Sequence, residues 1–161
     1  MKNVQKTLSI LLNWNPALSK NFRLNEFFDS ETAIVNGIVN CPPTYTKLEI
    51  VLKNLTVLAE ILQLVREIRR KPIYVTSGYR CNELNDAVFG KLGSQHRYGR
   101  AVDVTAHDFD ELVKDFEFLD LSKKINFIVY PERRYIHIQL RPNIGYHFPE
   151  KKPLSKNSNN N

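Results

Sequence analysis

Between Lys47 and Arg69, apolar residues recur every three or four positions, at Leu48, Leu52, Leu55, Leu58, Leu62, Val65 and Ile68, while Lys47, Lys53, Glu60 and Arg69 fall elsewhere on the helical wheel. That spacing gathers the apolar side chains on one stripe and predicts an amphipathic helix over about 44–70. Pro42-Pro43 precede it and Lys71-Pro72 stop it, because a residue before proline avoids helical angles. The helix has a face that must be covered. A chain of 161 residues can cover it with one core, without a metal or disulfides to hold the fold together. A metal in such a chain would therefore serve chemistry rather than folding.

What covers the helix is written in shorter runs. Ile73-Tyr74-Val75-Thr76, closed by Ser77-Gly78, reads as a strand entering a turn, and 82–88 reads as a short helix. Ala101 to Ala106 reads as a second strand, and Asp108 with Glu111 forms a capping box for a helix across Leu112, Val113 and Phe116. Asn126 to Tyr130 and Tyr135 to Leu140, separated by Pro131-Glu132-Arg133-Arg134, read as an antiparallel hairpin. The expected fold is α+β, a small, mainly antiparallel sheet with a long helix packed on it. Residues 1–149 are expected to form one domain, and the polar stretch 150–161 a disordered tail.

Composition narrows the function classes. Apolar content of 42% with 25% charged residues suits a soluble globular chain, and no run of 18 apolar residues is present, so membrane insertion is not expected. The 23 Lys and Arg against 17 Asp and Glu give a net charge of +6, which suits nucleic acid, a membrane surface or an anionic wall polymer equally. The basic residues are spread along the chain without the aromatic-glycine pattern of an RNA-binding sheet, which reads as a solvated basic surface and not as a nucleic-acid site. The start, Met1 to Leu12, is basic, but its apolar run is short and no small-x-small cleavage site follows, so a secretory signal is not expected. Cys41 and Cys81 are too few and too scattered for a disulfide framework or a thiolate metal site. A reducing compartment and a monomer are the expectations.

In Tyr135-Ile136-His137-Ile138-Gln139-Leu140, strand alternation sends the three aliphatic residues to one face and Tyr135, His137 and Gln139 to the other. The same alternation sends Val102 and Val104 into the core and leaves Asp103 opposite, beside Ala101 and Thr105. His96 stands seven residues earlier, in a glycine-punctuated loop that can turn its imidazole back over the strand. Two imidazoles and a carboxylate suit zinc, which at catalytic sites takes three protein ligands and leaves one position for water. Spacing alone leaves a second reading open, with His137 a hydrogen-bonded strand histidine and Asp103 a turn or ion-pair residue. His107 and His147 read as surface or loop residues, with a supporting role behind the ligands open to His107.

Ser94-Gln95-His96-Arg97-Tyr98-Gly99-Arg100-Ala101-Val102-Asp103 resembles the S-x-H-x-x-G-x-A-x-D signature of zinc D-alanyl-D-alanine carboxypeptidases and related phage endolysins, a superfamily that includes the Hedgehog signalling domain. Tyr135-Ile136-His137 resembles the family's closing aromatic-x-His. Phe22 to Ala33 and Ser77 to Asn85 are similar to segments of its small single-domain members, so the resemblance spans about 22–141. It implies that His96, Asp103 and His137 bind zinc, that Arg80 lies in the cleft for a peptidoglycan stem peptide, and that Ser94 and Gln95 orient substrate or shape the loop. The implied activity is hydrolysis of an amide bond in cell-wall peptides, as a D,D-carboxypeptidase or an endopeptidase. Without an export signal, such an enzyme is expected in the cytoplasm, or encoded by a phage and released or injected toward the wall.

The chain departs from that family at one position. Active relatives carry an Asp or Glu three residues before the last histidine, as general base and then acid; here the position holds Arg134. The nearest carboxylate, Glu132 at the hairpin tip, serves as base only if the turn folds inward and is otherwise a solvated turn residue. The alternative to a peptidase is a catalytically impaired, zinc-stabilised binding module of the same fold.

Overall fold

A computed structural model of the chain describes residues 2–119 and 121–148. The expected tail, 150–161, lies outside the described residues. The long helix, α3, runs Tyr45–Arg69; it follows α1 (Lys2–Trp14), a small hairpin of β1 (Ala17–Ser19) and β2 (Phe22–Arg23), and α2 (Glu31–Val35). The Thr44 hydroxyl accepts from the Lys47 N–H and starts α3; Arg70, in the left-handed region at φ 55°, ends it just before Pro72.

Beyond α3 come β3 (Tyr74–Ser77), α4 (Asn82–Ala87), β4 (Ala101–Thr105), α5 (Phe109–Phe118), β5 (Ile125–Tyr130) and β6 (Tyr135–Leu140). The four later strands pair antiparallel in the order β3-β4-β6-β5, which is the expected α+β arrangement. Two neighbours are consecutive in the chain only at β3-β4 and β5-β6, so β6 crosses back to lie beside β4 and brings Asp103 opposite His137. One sheet face, with Val102, Val104, Ile125, Ile136, Ile138 and Leu140, is buried in a continuous core with Leu48, Leu55, Leu58, Leu62 and Val65 of α3 and Leu112 and Phe116 of α5. At roughly 1.5–3 kcal/mol per fully buried aliphatic or aromatic side chain, this contact is the main stabilisation of the fold.

Three details differ from the sequence reading. Ala101 is fully buried, so β4 is covered on both faces at its start. The capping box does not form: the Asp108 carboxylate turns to Arg69 at 2.8 Å and Lys71 at 2.9 Å, and Glu111 pairs with Lys71. Two cations at the end of α3 compete better for those carboxylates than a single neutral N–H does. Residues 2–12, read only for a leader, form most of α1, whose Val4 and Leu8 join the core. Among the described residues no helix is long and apolar enough to cross a membrane, and both cysteines are free thiols.

Candidate metal centre

Each donor of the candidate centre is positioned by a different backbone device. His96 lies in the 3-10 turn Gln95–Tyr98, which Gly99 closes at φ +65°. A Cβ on Gly99 would also meet the Val51 carbonyl of α3 at 3.0 Å, so the glycine both permits the turn and seats it on the helix. Asp103 and His137 are register partners on β4 and β6. Ser77 of β3 is the register partner of Asp103 on the other side, with an irregularity between Val75 and Ser77 that re-aims the end of the strand.

These devices bring three ligand atoms together. The His137 Nδ1 lies 2.7 Å from Asp103 Oδ1; the His96 Nε2 lies 3.3 Å from the same oxygen and 3.3 Å from His137 Nδ1. Among the described residues, His96, Asp103 and His137 are the group that could hold a metal ion, with all three ligand atoms within 4.8 Å of one another. His96 is 2% exposed and Asp103 7%, so neither is an incidental surface residue.

The surroundings decide which lone pairs face inward. The His96 Nδ1 lies 2.7 Å from the Gly78 carbonyl, which can only accept, so the ring proton sits on Nδ1 and Nε2 is left free. Arg80 donates from Nη2 to Asp103 Oδ2 at 2.7 Å and from Nε to Ser77 Oγ at 2.8 Å, which leaves Oδ1 toward the histidines. Burial lowers the pKa of His96 and favours the neutral imidazole that a metal needs. Burial alone would raise Asp103, but the hydrogen bond from His137, the close His96 nitrogen and the Arg80 charge prevail and hold it far below the carboxylate range. The His96 Nε2, the His137 Nδ1 and one ionised oxygen form the donor set that suits a divalent ion of borderline softness. The residues present therefore fit a metal.

Gly78 is fixed by packing. A Cβ there would lie 2.4 Å from the Phe27 carbonyl oxygen, and the next N–H, of Tyr79, donates to that same oxygen at 2.7 Å. The segment Phe22 to Ala33 is thereby coupled to Ser77-Gly78-Tyr79-Arg80.

A family model described as Peptidase M15 matches residues 20–139. The chain belongs to the peptidase M15 family. No curated protein matches it. The family are metallopeptidases, and in this M15 chain the expected ligands are the residues that the fold gathers.

Of the other expected site residues, Arg80 is on the edge of the group, its guanidinium engaged by Asp103 and its Nη1 without a partner among the described residues. Ser94 and Gln95 are half-buried at the start of the histidine turn, Gln95 donating to the Gly93 carbonyl at 3.4 Å. Glu132 is exposed in the 3-10 turn Pro131–Arg133 and forms no hydrogen bond or ion pair with the three donors. Arg134, at φ 52°, donates to the His107 carbonyl at 3.3 Å and lies over the Phe109 ring, so its charge is tied to the start of α5. His107 and His147 are exposed; His107 meets the Tyr74 ring edge-on and His147 bonds to the Pro142 carbonyl. Sequence reasoning missed Ser77 and the Gly78 carbonyl. Pairing the strand at 73–77 with that at 101–106 would have brought Ser77 to Asp103.

Proposed function

We propose that the protein is a zinc-dependent peptidase that hydrolyses an amide bond in peptidoglycan peptides. The observation that carries this reading is the convergence of His96 Nε2, Asp103 Oδ1 and His137 Nδ1, with the second polar atoms of His96 and Asp103 engaged by the Gly78 carbonyl and Arg80, in a chain of a peptidase family. A zinc ion held there supplies Lewis acidity toward a carbonyl oxygen and acidifies water.

The chain's own residues do the rest. Arg80 holds Asp103 through Nη2 and offers Nη1 to a backbone carbonyl or carboxylate of the stem peptide, as a planar fork can. Ser94 and Gln95 orient the substrate from the histidine turn. Glu132 takes the proton from the attacking water and returns it to the leaving amine; where it does not reach, solvent does so more slowly. The test is hydrolysis of purified sacculi and stem peptides by protein with its metal content measured, with and without a chelator. Cleavage that survives metal removal, or tight zinc binding with no cleavage, overturns the proposal.

One observation favours a second reading, a zinc-stabilised binding module: the usual acid position holds Arg134, anchored on the His107 carbonyl and the Phe109 ring. Glu132→Gln separates the two. A wild type that cleaves and a variant slower by roughly 100-fold or more supports the peptidase with Glu132 as base.

A further inference from the structure

Two nucleophilic side chains outside the metal centre line one cavity. Cys41, in the loop between α2 and α3, and Cys81, which precedes α4, both border a cavity of about 430 Å³ that Tyr79, Tyr98 and Phe148 also wall. Both are free thiols. Asn40 fixes the two stretches of chain against each other. Its Nδ2 donates to the Phe28 and Tyr79 carbonyls at 3.0 and 2.9 Å, and its Oδ1 accepts from the Cys81 N–H at 2.8 Å. One side chain and one hydrogen bond thus separate the backbone beside Cys41 from that of Cys81. The sulfurs are within electrostatic reach of each other: burial first, and then the nearness of Cys81, push the Cys41 thiol up. The Tyr79 hydroxyl, raised chiefly by burial, feels both.

The two thiols differ in access. Cys41 is 9% exposed, and its S–H donates to the Pro42 carbonyl at 3.3 Å. Cys81 is half-buried, and its Sγ accepts from the Leu84 N–H at 3.4 Å. A thiol is a weak donor, so little is lost when the Cys41 proton goes. One reachable sulfur beside a covered one is the arrangement of an attacking and a resolving thiol. A metal site takes three or four donors, and among the described residues His96, Asp103 and His137 are the group that gathers three.

We propose that Cys41 and Cys81 are a disulfide-forming pair, joined by exchange with a small-molecule disulfide such as oxidised glutathione. The Cys81 thiolate attacks one sulfur of the oxidant, forming a mixed disulfide and releasing one glutathione thiolate. The Cys41 thiolate then attacks the Cys81 sulfur and releases the second. Each protein thiol gives its proton to solvent, each glutathione thiolate takes one up, and two electrons pass from the protein pair to the oxidant. A reducing cytoplasm keeps the pair as thiols; on the peptidoglycan reading, protein that reaches the wall leaves that buffer. The link closes a loop that holds the whole of α3 and β3, and its Cys81 end adjoins Arg80 in the segment that begins at Gly78. The segment that aims Asp103 and His96 is then held covalently as well as by Asn40.

The full chain, purified reduced, is equilibrated in glutathione buffers of rising oxidised share, quenched with a maleimide, and read by intact mass and non-reducing peptide mapping. The expected product is a monomer lighter by two hydrogens, with Cys41 and Cys81 in one linked peptide. It should unfold on the order of 10 °C above the reduced chain. Two alkylated thiols in the most oxidising buffer, glutathione retained on Cys81 without closure, or disulfide-linked dimers overturn the pair. Closure without a rise in unfolding temperature overturns its role as a brace. Cys41→Ser should keep one glutathione on Cys81, and Cys81→Ser, left with the covered thiol, should take it up at least about tenfold more slowly. Equal rates overturn the order of attack, and the wild-type readouts decide the pair whether or not either variant folds.

Discussion

An imidazole has two nitrogens, and a histidine becomes a dependable metal ligand only when something fixes which one is free. At His96 this is the carbonyl of Gly78, 2.7 Å from Nδ1. The carbonyl is held in turn because Gly78 packs against the Phe27 backbone with no room for a side chain. Gly78→Ala is therefore expected to destabilise the fold by about 1–3 kcal/mol and to weaken zinc binding together with it. Thermal unfolding and competition against a chromophoric chelator measure the two effects; loss of stability with unchanged affinity would show that the ring does not depend on this carbonyl. Arg80 does for Asp103 what Gly78 does for His96. Arg80→Ala should lower zinc affinity roughly 10- to 100-fold while the fold survives, and an unchanged affinity would limit Arg80 to substrate contact. The convergence of His96, Asp103 and His137 was legible because they stand in a motif that resembles a metallopeptidase signature; spacing alone left a hydrogen-bonded histidine and an ion-pair aspartate open. The Gly78 carbonyl and Ser77 were not, since every residue has a carbonyl and a serine before a glycine reads first as a turn.

At the scale of elements, legibility followed the strength of the periodic signal. The stripe from Leu48 to Ile68 and the proline stops gave α3 to within a residue at each end, and alternation gave β6 without error. The start of α5 was misread. A capping box is a local pattern, but Asp108 and Glu111 are met by Arg69 and Lys71 from the far end of α3, 39 and 40 residues away in the chain. The small hairpin of β1 and β2 carries too few residues for any period to show. The ion-pair cluster has a pH consequence. Hydrogen bonds from Arg69 and then Lys71 lower the pKa of Asp108 in the folded chain. A lowered folded pKa means the unfolded chain takes up the proton first, so this stability is complete above the unfolded value of about 4 and is lost as pH falls below it. Asp108→Asn should therefore lower the unfolding temperature at pH 7 and flatten its decline between roughly pH 5 and 2. Parallel melting curves for variant and wild type across that range would refute the assignment.

The whole molecule joins distant segments at one buried amide. Asn54 of α3 is fully buried; its Nδ2 donates to the Tyr98 and Tyr146 carbonyls at 2.9 Å each, and its Oδ1 accepts from the Tyr146 N–H at 2.6 Å. Arg100, 3% exposed, donates to the carbonyls of Arg141 and Tyr146, so the residues after β6 are strapped over the turn that carries His96. Asn54→Ala leaves the Tyr98 carbonyl and the Tyr146 N–H without this partner, while the Tyr146 carbonyl keeps Arg100, and should cost roughly 3 kcal/mol, read as a lower unfolding temperature. The metal contributes differently. The core forms from residues of α1, α3, α5 and the sheet, none of them a ligand, so folding does not await an ion as it does in a zinc finger. Binding adds stability only by mass action, about 4 kcal/mol when free zinc is a thousandfold above its dissociation constant. Excess chelator at pH 7 should thus lower the unfolding temperature by on the order of 10 °C and leave the far-ultraviolet circular dichroism at 25 °C unchanged. Unfolding on chelation at that temperature would mean that the three donors hold the fold together, and that the ion serves structure before it serves any chemistry.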